Sequence, residues 1–300
     1  MVTTSNKEIL IQVSNKNKID YDNLKKNNVV LIRDSEDFYD VNFFITARGR
    51  KEFSKPMYES FKAAADKSNL KISYTIIEHS EAPQHAKFCN RNNLNYIWIK
   101  SKPNELFNKC LAYNSGAFFA RKSKYLLFHD IDCLVQSDFF IKLFENISNQ
   151  KARAIQCFTK RRVLYINDIM TPKVVSGEIP VDELSIEKEY IAPPGVLGAP
   201  GGSIMVERDL FFDVGGFDAD YFLANSPEDA FFWNKIDTLD KMYTSNNPDI
   251  EIYHMWHRPT WNENPHLKDM KQINTAFEEM SKDEKLEIIS MKSEMIEKFR

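Results

Sequence analysis

The stretch Tyr125-Leu-Leu-Phe-His-Asp-Ile-Asp-Cys-Leu-Val135 constrains this chain most. Its apolar opening has strand length and reads as a buried strand. It runs out into two aspartates one residue apart, Asp130 and Asp132. Two ionised carboxylates cannot share a dry strand exit unaided, and a divalent cation is their natural partner. At the C-terminal end of a sheet strand such a cation can clamp a diphosphate. The plain alternative is a pair of turn or helix-capping aspartates, which are common after strands.

Three hundred residues make one large domain or two small ones. An apolar fraction of 43% and a charged fraction of 28% suit a globular core rather than a disordered chain. The net charge of −3 argues against a nucleic-acid partner, which calls for a basic stripe. Met1–Lys7 lacks the apolar core of a signal peptide. No apolar run approaches the roughly 20 residues that span a bilayer. The expectation is a cytoplasmic chain without a transmembrane segment. Cys89, Cys110, Cys133 and Cys157 show no CxxC spacing and read as free thiols.

Periodicity predicts strands at 41–45, 71–77, 125–128, 154–158, 163–166 and 250–255, and helices at 55–68, 104–121 and 137–147. Strands alternating with helices predict an α/β fold with a mostly parallel central sheet covered on both faces. Residues 167–200 hold five prolines and little periodicity and read as one long loop, of the kind that serves as a lid. Gly215-Gly216 stops a short helix begun near Glu207, and Ser226-Pro227 opens the next. The last 35 residues read as helical, with a capping box at Ser281-Lys-Asp-Glu284. The expected division is 1–265 for the main domain and 266–300 for a helical extension.

Four blocks stand in a fixed order: Phe44-Ile-Thr-Ala-Arg-Gly-Arg50, Phe107-Asn-Lys-Cys-Leu-Ala-Tyr-Asn114, Asp130-Ile-Asp132, and Gly201-Gly202 through Val214-Gly-Gly-Phe-Asp218 to Glu228-Asp229. In this order they resemble the β-1,4-galactosyltransferase family and its bacterial relatives of the chondroitin-polymerase type, over roughly residues 41–265. The resemblance implies a GT-A (Rossmann-like) nucleotide-sugar-binding fold and an inverting transfer from a UDP-sugar of the galactose or N-acetylgalactosamine type. The acceptor it implies is a glycan or lipid-linked glycan in surface polysaccharide synthesis, which leaves room for peripheral membrane association.

The resemblance also implies roles. Arg48 and Arg50 would meet uridine and phosphates, as the arginine fork suits; as plain residues they read equally as surface arginines. Glu78 would contact uracil or ribose, or else be a solvated acid at a strand end. Phe107 and Lys109 would line the donor site, Lys109 against the diphosphate, or sit on the core and surface of an amphipathic helix. Asp132 would ligate the metal, and Asp130 would reach the metal through water or touch the ribose. A third ligand would come from His254 or His257; strand alternation sets them on opposite faces, so that only one would ligate, and His257, which begins the polar loop, is favoured. Two carboxylates and a histidine suit Mn²⁺, with Mg²⁺ a weaker substitute. Gly201 and Gly202 would admit the donor sugar. Asp229 would be the catalytic base and Glu228 would orient the acceptor, although acids in a first helical turn also suit the helix dipole.

One departure stands out. The family's loop before Glu-Asp is rich in Trp and Gly, whereas here it reads Tyr221-Phe-Leu-Ala-Asn-Ser-Pro227. The alternative reading is therefore a catalytically silent GT-A module that binds nucleotide sugar or glycan. A haloacid-dehalogenase-type phosphatase also has a strand ending in DxD. It would want Thr or Val where Leu134 stands, and it leaves the other blocks unexplained.

Overall fold

A computed structural model describes residues 5–158, 163–184, 188–190, 201–239, 243–244, 250–258 and 264–300. The strands are β1 Val29–Leu31, β2 Phe38–Ala47, β3 Ile72–Ser80, β4 Asn95–Lys100, β5 Lys122–Asp130, β6 Cys133–Val135, β7 Ala154–Gln156, β8 Val163–Tyr165, β9 Lys188–Tyr190, β10 Ser203–Glu207, β11 Tyr243–Thr244 and β12 Ile252–His254. The helices are α1 Asn6–Lys16, α2 Leu24–Asn27, α3 Ser54–Ser68, α4 Ala86–Arg91, α5 Lys109–Phe119, α6 Phe139–Gln150, α7 Met170–Ser176, α8 Arg208–Asp213, α9 Glu228–Leu239, α10 Leu267–Glu279 and α11 Lys282–Ile296.

The main sheet runs β1-β4-β3-β2-β5-β10-β7-β11. Its centre, β4-β3-β2-β5, is parallel, while β10 lies antiparallel between β5 and β7. Alternation along a strand feeds two separate cores. Phe44, Leu126 and Phe128 enter the core under α5 and α8 to α11, whereas Phe43, Ile45, Tyr125 and Leu127 enter the core under α3 and α6. Strands buried on both faces explain why β2 and β5 read as near-continuous apolar runs. A second sheet, β6-β12-β8-β9, flanks the end of β5.

Three connections position the site. The four parallel strands deliver Ala47, Ser80, Lys100 and Asp130 to one edge, where ligands of open α/β sheets bind. The β5–β10 register pairs His129 with Ser203, and Asp130 N–H donates to Gly202 O at 3.0 Å, which lays Gly201-Gly202 beside Asp130. The β6–β12 register pairs Cys133 with His254, and Met255 N–H donates to Asp132 O at 2.8 Å, which draws the 254–257 segment onto Asp132.

Several expectations are corrected. The helix expected from Asn104 begins at Lys109, because Asn104 takes a left-handed φ of 60° and Asn108 caps the helix, accepting from Leu111 N–H at 2.7 Å. The helix expected from 137 begins at Phe139, and Asp138 holds the cap position without a side-chain cap. The expected loop 167–200 contains α7, a 3₁₀ turn at Val181–Glu183 and β9, while 185–187 and 191–200 lie outside the described residues. Short β4 and β10, and everything before β2, carry structure that the periodicity did not resolve. The expected extension, 266–300, shares a core with the main body: Phe277, Ile288 and Ile289 pack in one cluster with Phe211, Phe217 and Phe231. Lys292 of α11 pairs with Asp220, beside the buried pair Lys235–Asp218 at 2.6 Å. The capping box at Ser281 and Glu284 forms as expected.

Candidate active site

The cleft at this edge has two connecting parts. One, of about 1020 Å³, is lined by Arg48, Arg50, Phe107, Asp132, His257 and Trp256 among others. The other, of about 540 Å³, is lined by Gly201, Gly202, Phe158, Ser226, Asp229 and Lys271 among others. Lys109, Asp130, Tyr165, Asn225, Glu228 and His254 line both, so these six residues form the seam.

Asp132 is the centre of the larger part. Its buried carboxylate contacts the Arg50 guanidinium, with His257 Nε2 3.0 Å and His254 Nε2 3.8 Å from Oδ2. Burial alone would push this carboxyl up. His254, His257 and Arg50 outweigh burial and hold it well below the usual carboxylate range. The two histidines do not fall on opposite faces: β12 ends at His254, the chain runs on outside the strand, and the rings approach to 5.0 Å between centroids. Alternation holds only within a strand, so the sequence argument that only one of them can ligate fails.

One carboxylate oxygen and two imidazole nitrogens, all within 4.8 Å of one another, form a donor set that a metal such as Mn²⁺ fits. Arg50 already places a positive charge against Asp132, and the buried Nδ1 of His254 has no partner among the described residues. Asp130 lies outside this trio. Lys109 Nζ stands 3.0 Å from Asp130 Oδ1, to which Tyr113 Oη also donates at 3.1 Å. Lys109 and Tyr113 are one helical turn apart on α5, which is why both face the same carboxylate.

At the seam, Lys109 also faces Glu228 at 3.5 Å. Burial works against the Lys109 charge, but Asp130 and Asp229 outweigh it and keep the ammonium protonated well above its usual range. Burial, with Asp229 beside it, pushes Glu228 up to about 8. Burial also raises Asp229, against the pull of Lys109. The Asp229 Oδ1 is buried without a hydrogen-bond partner among the described residues.

Gly201 is required by that carboxylate. A Cβ there would lie 1.7 Å from Asp229 Oδ2 and 2.4 Å from Asp229 Cγ, so only glycine leaves room. Gly202 is needed for a different reason, its φ of +86°.

Glu78 is not brought to the cleft. It is fully buried, neither solvated nor facing a ligand, and accepts from Ser80 Oγ at 2.6 Å, Gln84 N at 2.9 Å, His85 N at 3.0 Å and Tyr96 Oη at 2.6 Å. Its neighbour His79 accepts from Asn108 N–H at 3.0 Å and so fixes the start of α5, with Phe107 stacked on its ring. Burial keeps His79 neutral, down at about 4. Tyr113, His79 and His85 were missed in the sequence. The signal for Tyr113 was present in its four-residue spacing from Lys109; the histidines carried none.

The model of glycosyltransferase-like family 2 matches residues 71–291. Solved structures with this architecture include the catalytic domain of Drosophila β1,4-galactosyltransferase 7 in complex with xylobiose. It shares 14% identity, covers 79% of each chain and has a TM-score of 0.50. S. aureus TarS 1–349 in complex with UDP shares 11% identity, covers 82% of this chain and 68% of that one, and has a TM-score of 0.55. GalNAc-T7 with UDP, GalNAc and Mn²⁺ shares 15% identity, covers 76% of this chain and 45% of that one, and has a TM-score of 0.50. No curated protein sequence matches the chain.

The fold is therefore that of the GT-A glycosyltransferases, with the cleft at the carboxyl ends of its parallel strands. The chain belongs to glycosyltransferase-like family 2.

Proposed function

We propose that the chain transfers a hexosyl group of the galactose or N-acetylgalactosamine type from a UDP-sugar to a glycan hydroxyl, with inversion and with Asp229 as general base. The observation that carries this reading is the Asp229 carboxylate. It stands in the cavity wall, with Oδ1 buried and unpartnered and Oδ2 in space that Gly201 leaves open. A buried, unsatisfied carboxylate is costly unless function uses it. That cost favours catalysis over a silent binding module.

The larger cavity part would take the nucleotide. Arg48, Arg50 and Lys109 supply the cationic wall for a diphosphate, and Phe107 an aromatic one for the base. The same arrangement supports UDP as the carrier, with UDP bound in the TarS neighbour and in GalNAc-T7. Asp132, His254 and His257 would hold Mn²⁺, or less well Mg²⁺; Asp130 would touch it through water or reach the ribose. When bound, the metal supplies Lewis-acid neutralisation of the departing diphosphate.

The chain's own groups do the rest. The sugar would lie over Gly202 in the smaller part, between the phosphates and Asp229. The acceptor oxygen attacks the anomeric carbon from the Asp229 side as the bond to UDP breaks, and its proton passes to Asp229. Burial raises the basicity of Asp229 above that of an exposed aspartate. Glu228, protonated at neutral pH, donates a hydrogen bond to the acceptor sugar. Lys109 stays charged and offsets the growing negative charge of UDP.

The acceptor we propose is a glycan or lipid-linked glycan in surface polysaccharide synthesis, met in the cytoplasm or at a membrane face. No described helix is long and apolar enough to cross a membrane. The test is a panel of UDP-sugars with MnCl₂, read as UDP release with and without glycan acceptors. Release from none of them, by a chain that binds UDP, would establish the silent module instead.

A further inference from the structure

The turn that carries Arg50 is strained, and three fully buried polar side chains converge on it. Gly49 and Arg50 are consecutive left-handed residues, φ +67° and +56°. For an arginine that conformation is strained and persists only where the surroundings impose it. Two contacts hold the turn. Phe53 N–H donates to Arg50 O at 3.0 Å within the following 3₁₀ turn. The other contact comes from outside: His85 Nε2 lies 2.9 Å from Gly49 O.

His85 stands at the start of α4, 36 residues away in sequence and fully buried. A carbonyl oxygen can only accept, so Nε2 must carry the proton. Burial keeps the ring neutral, and Nδ1 is then free to accept from Ser54 Oγ–H at 2.8 Å. The backbone of His85 is fixed in turn by its N–H donating to Glu78 Oε2 at 3.0 Å. Every polar atom of the His85 ring is thus used, and each contact ends at the Arg50 turn or seats the ring against it. Glu78 and Ser54 are equally buried. None of these three residues lines the cleft.

We propose that His85, seated by Glu78 and Ser54, is a positioning residue that imposes the Gly49–Arg50 turn and so aims Arg50 at the diphosphate of the donor. The inference rests on the proposed function, in which Arg50 meets that diphosphate. His85 touches no substrate; it acts through Arg50. Ring nitrogens and side-chain amides offer a matched pair of probes. The amide of Gln reaches about as far as Nε2 and can still donate to Gly49 O. The amide of Asn reaches about as far as Nδ1 and cannot.

The test is UDP affinity by calorimetry with MnCl₂, uridine affinity by ligand-observed NMR, and melting, on the full chain. His85→Asn should weaken UDP about tenfold, the loss of roughly one hydrogen bond's worth of positioning. His85→Gln should stay within about threefold of the wild type, and uridine affinity should not change in either variant. In an Arg50→Ala background, His85→Asn should cost nothing further, because the two act as one unit. Equal effects of Asn and Gln, parallel loss of uridine, or additivity with Arg50→Ala would overturn the proposal. If His85→Asn does not fold, Ser54→Ala carries the same test. Without Ser54 Oγ–H the ring loses the contact at Nδ1 that seats it against Gly49 O, so UDP affinity should fall in the Arg50 background and stay flat without Arg50. A wild type that binds no UDP would instead overturn the proposed function itself.

Discussion

Gly201→Ala is the substitution whose consequence follows most directly from geometry. The added Cβ would sit 1.7 Å from Asp229 Oδ2, where real contacts essentially never fall below 3.0 Å. One of the two groups must move by more than 1 Å. Gly201 has no left-handed φ, so alanine does not strain its backbone. The Asp229 side chain, at the cavity wall, is the group that can swing. Misplacing a catalytic group by about 1 Å costs about 10²-fold in rate, and losing a general base costs about 10²–10⁴. Turnover should therefore fall by about 10²-fold or more. Stability should fall by about 1 kcal/mol, the low end of overpacking costs, because the clash is relieved into a cavity. UDP affinity should hold, since the nucleotide part of the cleft is untouched. The assay is initial UDP release at saturating donor, with melting and UDP calorimetry on the same preparation. Wild-type turnover in a well-folded Gly201→Ala chain would refute the role of the Asp229 carboxylate where it stands.

Three further outcomes are expected. UDP should bind better in MnCl₂ than in EDTA, and Asp132→Ala should abolish the difference; metal-independent binding by the wild type would sink the metal assignment. His254→Ala and His257→Ala should each weaken Mn²⁺ affinity, and a variant that keeps wild-type affinity removes its histidine from the donor set. Glu228 binds its proton more tightly in the folded state, at about 8 against 4.5. Its contribution to stability is thus fully present below pH 4.5 and is lost as pH rises through about 8. Glu228→Gln should flatten the melting profile between those values and melt above the wild type at pH 8, by up to a few kcal/mol of stability; a profile parallel to the wild type contradicts the buried, protonated acid.

What could be read from the sequence was whatever is local. The apolar run before Asp130 set β5, and the order of the four blocks pointed to one cleft. The convergence of His254 and His257 depended on β12 pairing with β6, about 120 residues apart, and on the chain leaving the strand at His254. A period-2 argument has no access to either. Glu78 looked like a solvated or ligand-facing acid because nothing in one dimension shows four donors gathering around it. The start of α5 was misplaced because Asn104 and Asn108 are both plausible caps, and the left-handed turn at Asn104 chose between them. Gly201 was read as room for a sugar, whereas the space beside it is filled by Asp229, a residue 28 positions later.

The central claim is that Asp229 takes the acceptor's proton, and Asp229→Asn tests it most directly. The amide keeps the size of the side chain and removes the base. With a UDP-sugar and acceptor that the wild type turns over, the rate should fall by about 10²–10⁴, while UDP affinity and melting stay close to wild type. Unchanged turnover by a folded Asp229→Asn chain would contradict the mechanism and leave the GT-A fold standing.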